Sequence, residues 1–257
     1  MIKNLSKIRK NVHSAQKNKG DENMNFDEEL IQVFSKHSIF LSPLQVELFS
    51  KYYHFLVEYN NVVNLTSITE QRDVIIKHFL DSVLAFNLIK ENSSVIDIGC
   101  GAGFPSIPLK IVRPDIKLVL VDSVQKKLEF INQLISMLDL KNVSTIHSRA
   151  EDLAQKPDFR EKFDFVVARA VARLNILCEY CLPFVKIGGK FIAYKAQDYL
   201  DEIEESNNAF KILGGKVEKI VHFEIENNQR FLVLIDKISS SPNKYPRGKN
   251  KPRISPL

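Results

Sequence analysis

The stretch Val95-Ile96-Asp97-Ile98-Gly99-Cys100-Gly101-Ala102-Gly103-Phe104-Pro105 constrains this chain more than any other. A β-branched apolar run gives way to three glycines at alternate positions, and Ile107, Leu109 and Ile111 carry apolar residues onward. The pattern predicts a buried strand, a tight turn and a helix. Glycines at such a turn let the backbone reverse sharply. They also leave the amide N–H groups at the helix start open to a ligand, with no Cβ in the way. The spacing is G-x-G-x-G rather than the G-x-G-x-x-G of a dinucleotide seat, and Asp97 stands two residues before the first glycine.

The next apolar run, Lys117 to Val121, ends in Asp122, 23 residues after Gly99. An acid about 20 residues beyond the glycines, at the end of the second strand, is placed to accept hydrogen bonds from ribose hydroxyls. A turn that merely packs is the bland alternative; loop and acid together point to an adenosyl ligand. The combination resembles the S-adenosylmethionine loop of Rossmann-like methyltransferases.

From Ser94 onward strand and helix patterns alternate: strand 94 to 98, helix 104 to 113, strand 117 to 121, helix 124 to 139, strand 143 to 147. Phe163 to Ala168 reads as a fourth strand, 173 to 184 as a helix, Gly188-Gly189 as a turn, and Lys190 to Tyr194 as a fifth strand. A helix over 198 to 212 ends at Gly214-Gly215, and strands 217 to 225 and 229 to 236 form a closing hairpin. The expected architecture is α/β, with a seven-stranded, mostly parallel sheet covered by helices.

Residues 25 to 90 read as an α-helical cap. Asn25 opens a short helix with Leu30, Ile31 and Phe34 on one side. Ser42, Pro43 and Gln45 form a capping box for a second, striped by Leu44, Leu48, Tyr52, Phe55 and Tyr59. A third helix runs from Gln71 to about Leu88. It carries His78, Asp81 and Ser82 within about one turn, which is too close for a nucleophile and a separately held base. These three read as polar groups turned towards the cofactor lobe or substrate. Cys178 and Cys181 have no second Cys or His pair to close a zinc site and read as two small apolar residues on one helix face. Three cysteines make no disulfide framework, so reduced thiols are expected.

The charge is unevenly placed. With +6 on residues 1 to 20, +6 on residues 237 to 257 and +5 in total, residues 21 to 236 carry −7. Two basic ends on an acidic body suit nucleic-acid contact, against the plainer reading of solvated tails. The start has the composition of a transit peptide but prefers Lys to Arg and lacks an amphipathic pattern, so it is read as an extension. No window approaches a membrane span and no secretory core is present, from which a cytoplasmic protein without membrane contact is expected. The domain reading is a basic, disordered extension over 1–24, an α-helical cap over 25–90, a core over 91–237 and a basic tail over 238–257.

Several motifs together closely resemble the glucose-inhibited division protein B family of bacterial 16S ribosomal RNA methyltransferases. They are Asn64-Leu65-Thr66, His78-x-x-Asp81-Ser82, Asp97 to Pro105 with Ile107-Pro108-Leu109, Asp122-Ser123 with Lys126-Lys127, Arg149-Ala150-Glu151, Ala168-Arg169-Ala170, and Tyr245-Pro246-Arg247 with Pro256-Leu257. The likeness covers roughly residues 42 to 257. Departures are Ser106, Ala196 and Asn250, each where the family commonly has Gly; Asn tolerates left-handed dihedrals.

The resemblance implies a Rossmann-like class I S-adenosylmethionine-dependent methyltransferase acting on guanine N7 of 16S ribosomal RNA, free or in an assembling small subunit. It implies that Gly99 and Phe104 line the cofactor, that Ala150 and Glu151 hold its adenine side, and that Arg169 sits beside it. Gly101 and Asp122 join this set from the loop and the acid.

Guanine N7 has a lone pair and no proton to lose, so positioning rather than a general base is expected to carry catalysis. Arg149 and Arg169 are candidates to hold RNA phosphate or stack on the base, or else to pair with Glu151 or Asp164. The tail cations Lys244, Arg247, Lys249, Lys251 and Arg253 are expected to supply RNA affinity. A monomer with no metal is expected. The alternatives are a small-molecule methyltransferase on the same fold, a nicotinamide-dependent oxidoreductase and a non-enzymatic RNA-binding module.

Overall fold

The computed structural model describes residues 24–226 and 228–257. The basic extension expected over 1–24 lies outside these residues apart from Met24. Seven strands, β1 Ser94–Ile98, β2 Lys117–Asp122, β3 Val143–His147, β4 Phe163–Arg169, β5 Val185–Lys195, β6 Gly215–Ile225 and β7 Asn228–Lys237, form one sheet in the order β3-β2-β1-β4-β5-β7-β6. The first five are parallel, and β7 runs antiparallel between β5 and β6. The chain winds outward from β1 in one direction and then restarts at β4. Its switch point therefore lies at the carboxyl ends of β1 and β4, where open α/β sheets take ligands.

Both faces of the sheet are buried, which is why its central strands read as near-continuous apolar runs. Val95, Leu120 and Val167 face the cap, whereas Ile96, Val121 and Val166 face the helix Leu174–Cys181 and the C-terminal segment. Cys178 and Cys181 are free and fully buried in that second layer, as expected of small apolar residues.

The cap shares one continuous core with the sheet. Its helices are α1 Phe26–Lys36, α2 Pro43–Asn60 and α3, 71–83. Ser42 Oγ accepts from Gln45 N at 3.3 Å and Gln45 Oε1 from Ser42 N at 2.8 Å, the reciprocal box that starts α2. The buried face of α2 is Val46, Phe49, Tyr52 and Leu56, while Leu44 is 62% exposed. The stripe expected from sequence thus lies one face over and shares only Tyr52. The helix is apolar on two sides because Phe55 and Tyr59 pack on Phe130, at ring distances of 5.2 and 5.1 Å.

Helix α3 widens to a π-type turn over Val74–Leu80 and stops at Val83, short of the expected Leu88. Arg113 takes the carbonyls of Phe86 and Ile89 at 2.6 Å each, so a distant guanidinium satisfies the backbone that a longer helix would have paired.

Residues 238–257 do not trail free. Tyr245 and Pro252 are buried, and Arg247 pairs with the fully buried Glu179 at 2.7 Å. Arg160 donates to the carbonyls of Ser241, Pro242 and Tyr245, fixing the segment's path. Arg247 is therefore structural, contrary to its expected place among the RNA-facing cations, because Glu179 needs a buried partner. Two short helices, Ala150–Leu153 and Lys251–Ile254, are additions to the elements expected from sequence. Gly188-Gly189 lies within β5 rather than before it, at a break in the β4–β5 register. Among the described residues no helix is long and apolar enough to cross a membrane.

Candidate active site

The loop after β1 is held from both sides. Gly99 and Cys100 donate their amides to Val121 O, and Tyr52 of α2 donates its hydroxyl to Ala102 O at 2.5 Å. Burial pushes the Tyr52 phenol well above its usual range, so it stays a donor. Gly103 has φ +96°, and a Cβ there would lie 2.8 Å from Ile107 Cγ1 and 3.0 Å from the Tyr52 hydroxyl. Only glycine fits this approach of the cap.

Beneath the loop, Asp97 is fully buried. Its Oδ2 accepts from Ser106 Oγ at 2.5 Å and its Oδ1 has no partner. Burial pushes the carboxyl up to about 7, against the pull of the Ser106 hydroxyl and of Arg169. Ser106, a departure from the family pattern, thus holds one of the two carboxylate oxygens. The other is an acceptor waiting for a donor.

Two cavities open at the carboxyl edge of the sheet. The smaller, about 130 Å³, gathers Gly99, Asp122, Ala150 and Glu151 from the ends of β1, β2 and β3. Asp122 Oδ2 accepts from Gly101 N at 3.0 Å and Oδ1 from Val124 N at 2.9 Å, which locks the acid against the loop. Arg149 reaches Glu151 at 3.5 Å, the internal pairing that is the alternative to its holding RNA. The far wall comes from the C-terminal segment: Asn250, with φ +59° as its tolerance for that region allows, and Arg253, which donates to Val171 O at 3.0 Å.

The larger cavity, about 570 Å³, lies between the cap, the end of β4 and the β6–β7 hairpin. Asp81 is its hub. Its Oδ2 accepts from Arg169 at 2.6 Å and its Oδ1 from Arg230 at 3.0 Å, with the carboxylate only 8% exposed. Arg169 pairs here and not with Asp164, whose carboxylate is taken by Lys186 and Ser94. The Arg169 guanidinium also lies 5.2 Å from the Phe104 ring centroid. His78 stacks on Phe104 at 4.4 Å, and burial with the neighbouring Arg169 lowers its imidazole to about 4, so it stays neutral. Lys195 pairs with Glu202 at 2.6 Å. The charged lining is five cations (Lys77, Arg169, Arg173, Lys195, Arg230) against Asp81 and Glu202.

Val171 borders both cavities. Ala170 before it has φ +56°, which turns the chain at the end of β4 and lays Val171 against Gly99.

Of the expected cofactor residues, Gly99, Asp122, Ala150 and Glu151 share the smaller cavity and Arg169 lines the larger. Gly101 and Phe104 line neither. Gly101 is bound to Asp122, and Phe104 is packed between the Tyr52 and His78 rings as the joint of cap and loop. Sequence reasoning misses Arg230, Asn250 and Arg253 as cavity residues. Arg230 sits 149 residues from Asp81, with no local pattern to connect them.

Comparison with known proteins places the chain in a family. The rRNA small subunit methyltransferase G (GidB) family model matches residues 45–233. Proteins named ribosomal RNA small subunit methyltransferase G are similar along nearly the whole chain. That of Acetivibrio thermocellus is 46% identical, over 89% of this chain and 95% of its own. That of Staphylococcus saprophyticus is 47% identical over 89% and 97%. Among solved structures, M. jannaschii TYW2 in complex with AdoMet superposes with a TM-score of 0.52 at 16% identity. That match spans 67% of this chain and 80% of the other. At this identity the superposition speaks for a shared class I methyltransferase fold alone. The chain belongs to the rRNA small subunit methyltransferase G family.

Proposed function

We propose that this protein transfers a methyl group from S-adenosylmethionine to N7 of a guanine in 16S ribosomal RNA. The observation that carries the reading is the pair of cavities meeting at Val171, one built on the glycine loop with its acids, the other lined by a surplus of cations.

The residues present fit the cofactor. Asp122 and Glu151 are carboxylates at the strand ends, suited to ribose and adenine donors. The orphaned Asp97 Oδ1 is an acceptor suited to a cationic group. Gly99 and Ala150 add wall without bulk. When bound, the cofactor supplies a methyl already activated by its sulfonium.

The chain's own residues do the rest by position. Arg169 is held in place by Asp81 and the Phe104 face, so its guanidinium is preorganised at the edge of the larger cavity. Neutral His78 packs the loop against the cap and offers no charge change near neutral pH. Guanine N7 presents a lone pair and needs no base. The remaining exposed tail cations, Lys244, Lys249, Lys251 and Arg253, add sequence-independent attraction for phosphate.

The test is methyl incorporation from labelled S-adenosylmethionine into unmodified 16S ribosomal RNA and into small subunits, with the product base identified by mass spectrometry. N7-methylguanine at a single site supports the reading. Cofactor binding with no labelled RNA in either substrate overturns it and favours a small-molecule acceptor.

A further inference from the structure

Three aromatic rings stand together at the β6–β7 hairpin, and one of them, Phe231, lines the larger cavity. Phe231 of β7 stacks on Tyr199 at 4.1 Å with the planes 28° apart, and on His222 at 4.9 Å and 19°. Register explains part of the meeting: Phe231 lies opposite Lys195 of β5 on one side and opposite His222 of β6 on the other. A cation and two rings therefore form a row across three neighbouring strands, with Tyr199 added from the helix Tyr199–Glu205.

Core packing accounts for Tyr199, which packs on the second buried layer, but not for the other two rings. Phe231 and His222 belong to neither buried layer of the sheet, and His222 is exposed. Phe231 instead lines the cavity alongside Arg230 and Lys195. The hairpin that carries the rings is tied to the cap at two points: Arg230 to Asp81 at 3.0 Å, and Arg72 to Glu226 at 2.6 Å. The rings are thus held at a set place relative to the cavity mouth.

We infer that Tyr199, Phe231 and His222 form a stacking platform for an unpaired nucleotide next to the guanine that enters the cavity. The inference rests on the proposed RNA methylation and names the surface that presents the substrate. In A-form RNA, N7 lies in a deep, narrow groove that side chains cannot enter, so a target guanine must come from an unpaired segment with neighbours free to stack elsewhere. Aromatic faces take such bases irrespective of sequence, and adjacent cations take the phosphates. Lys77 and Arg230 are the partly exposed cations beside the rings, each already in an ion pair, with Asp73 and Asp81 respectively, that a phosphate would share.

The experiment uses the full chain with unmodified 16S ribosomal RNA and compares Tyr199→Leu and His222→Leu with Tyr199→Phe and His222→Phe. The leucine variants are expected to raise KM for RNA about tenfold each with S-adenosylmethionine affinity unchanged, and His222→Leu, at an exposed position, with an unchanged urea midpoint as well. The phenylalanine variants, which keep a π face, are expected to restore KM. If the parent protein methylates RNA and the leucine variants do so with the same KM, the platform is overturned while the functional reading stands. If leucine and phenylalanine variants raise KM equally, the rings act through something other than their π faces and the platform is likewise overturned. A parent protein that labels no RNA overturns the functional reading, and this inference with it.

Discussion

The two cavities differ in size, charge and the way they are built. The smaller is assembled from the loops after β1, β2 and β3 and closed by the C-terminal segment, with two carboxylates and two guanidiniums in its wall. The larger is assembled from parts far apart in the chain, with five cations facing two carboxylates and the Phe231 ring at its hairpin side. A compact, charge-balanced recess suits a small cofactor with a positive centre, and an open, cationic one suits a polyanion. A chain whose residues 21 to 236 carry −7 therefore still concentrates positive charge where RNA is proposed to enter.

The separation of the cavities is challenged most severely at Arg247. Arg247→Ala leaves Glu179 buried without its cation, and stability is expected to fall by about 3 to 5 kcal/mol, read as a lower urea midpoint at unchanged slope. Because Asn250 and Arg253 follow Arg247, S-adenosylmethionine affinity should drop more than RNA affinity. Equal losses in both would mean the cavities are not separate.

Arg169→Ala tests the larger cavity. The expected result is a fall in kcat/KM of about 10² to 10³-fold. Circular dichroism and cofactor affinity should stay near the parent values, since Asp81 retains Arg230 at 3.0 Å. Full activity would remove Arg169 from catalysis.

Gly103→Ala strains the contact of cap and glycine loop. At φ +96°, with Ile107 and the Tyr52 hydroxyl in the way, a thermal melt should show a loss of about 1 to 3 kcal/mol.

The buried acid beneath the glycine loop has a pH signature, although it lines neither cavity. Burial pushes the Asp97 carboxyl up to about 7, and only its ionised form attracts a cationic group. Affinity for S-adenosylmethionine should therefore rise about tenfold per unit as pH climbs towards 7, and level off above it. Titration calorimetry on Asp97→Asn should show weak binding with no inflection, and a persisting inflection would assign the titration to another group.

The smallest effect belongs to the rim. Lys249→Ala should reduce the slope of log RNA affinity against log salt by about 1 and leave cofactor binding alone. An unchanged slope would exclude this residue from phosphate contact.

Much of the smaller cavity is legible in the sequence, because its parts carry local signals. The alternating glycines, the acid at the end of β2 and Arg149-Ala150-Glu151 after β3 each follow a strand whose apolar run marks its end. Little of the larger cavity is legible in the same way. His78 and Asp81 read as polar groups turned towards the cofactor lobe, and they do face it, but nothing local shows that Asp81 bridges Arg169 and Arg230. Phe104, expected as a cofactor-lining ring, stacks with Tyr52 and His78 at the cap joint, a contact that no local pattern announces.

Spacing and side-chain shape act over a few residues, and they are enough to specify the order of strands and helices, the doubly buried sheet and the glycine turn. Which cation meets which carboxylate is a different kind of question. Arg247 finds Glu179 across 68 residues and Arg230 finds Asp81 across 149, and only closure of the chain brings such pairs within reach. The same closure makes the basic C-terminal segment a wall of the smaller cavity, because a buried carboxylate needs its partner more than a basic tail needs solvent.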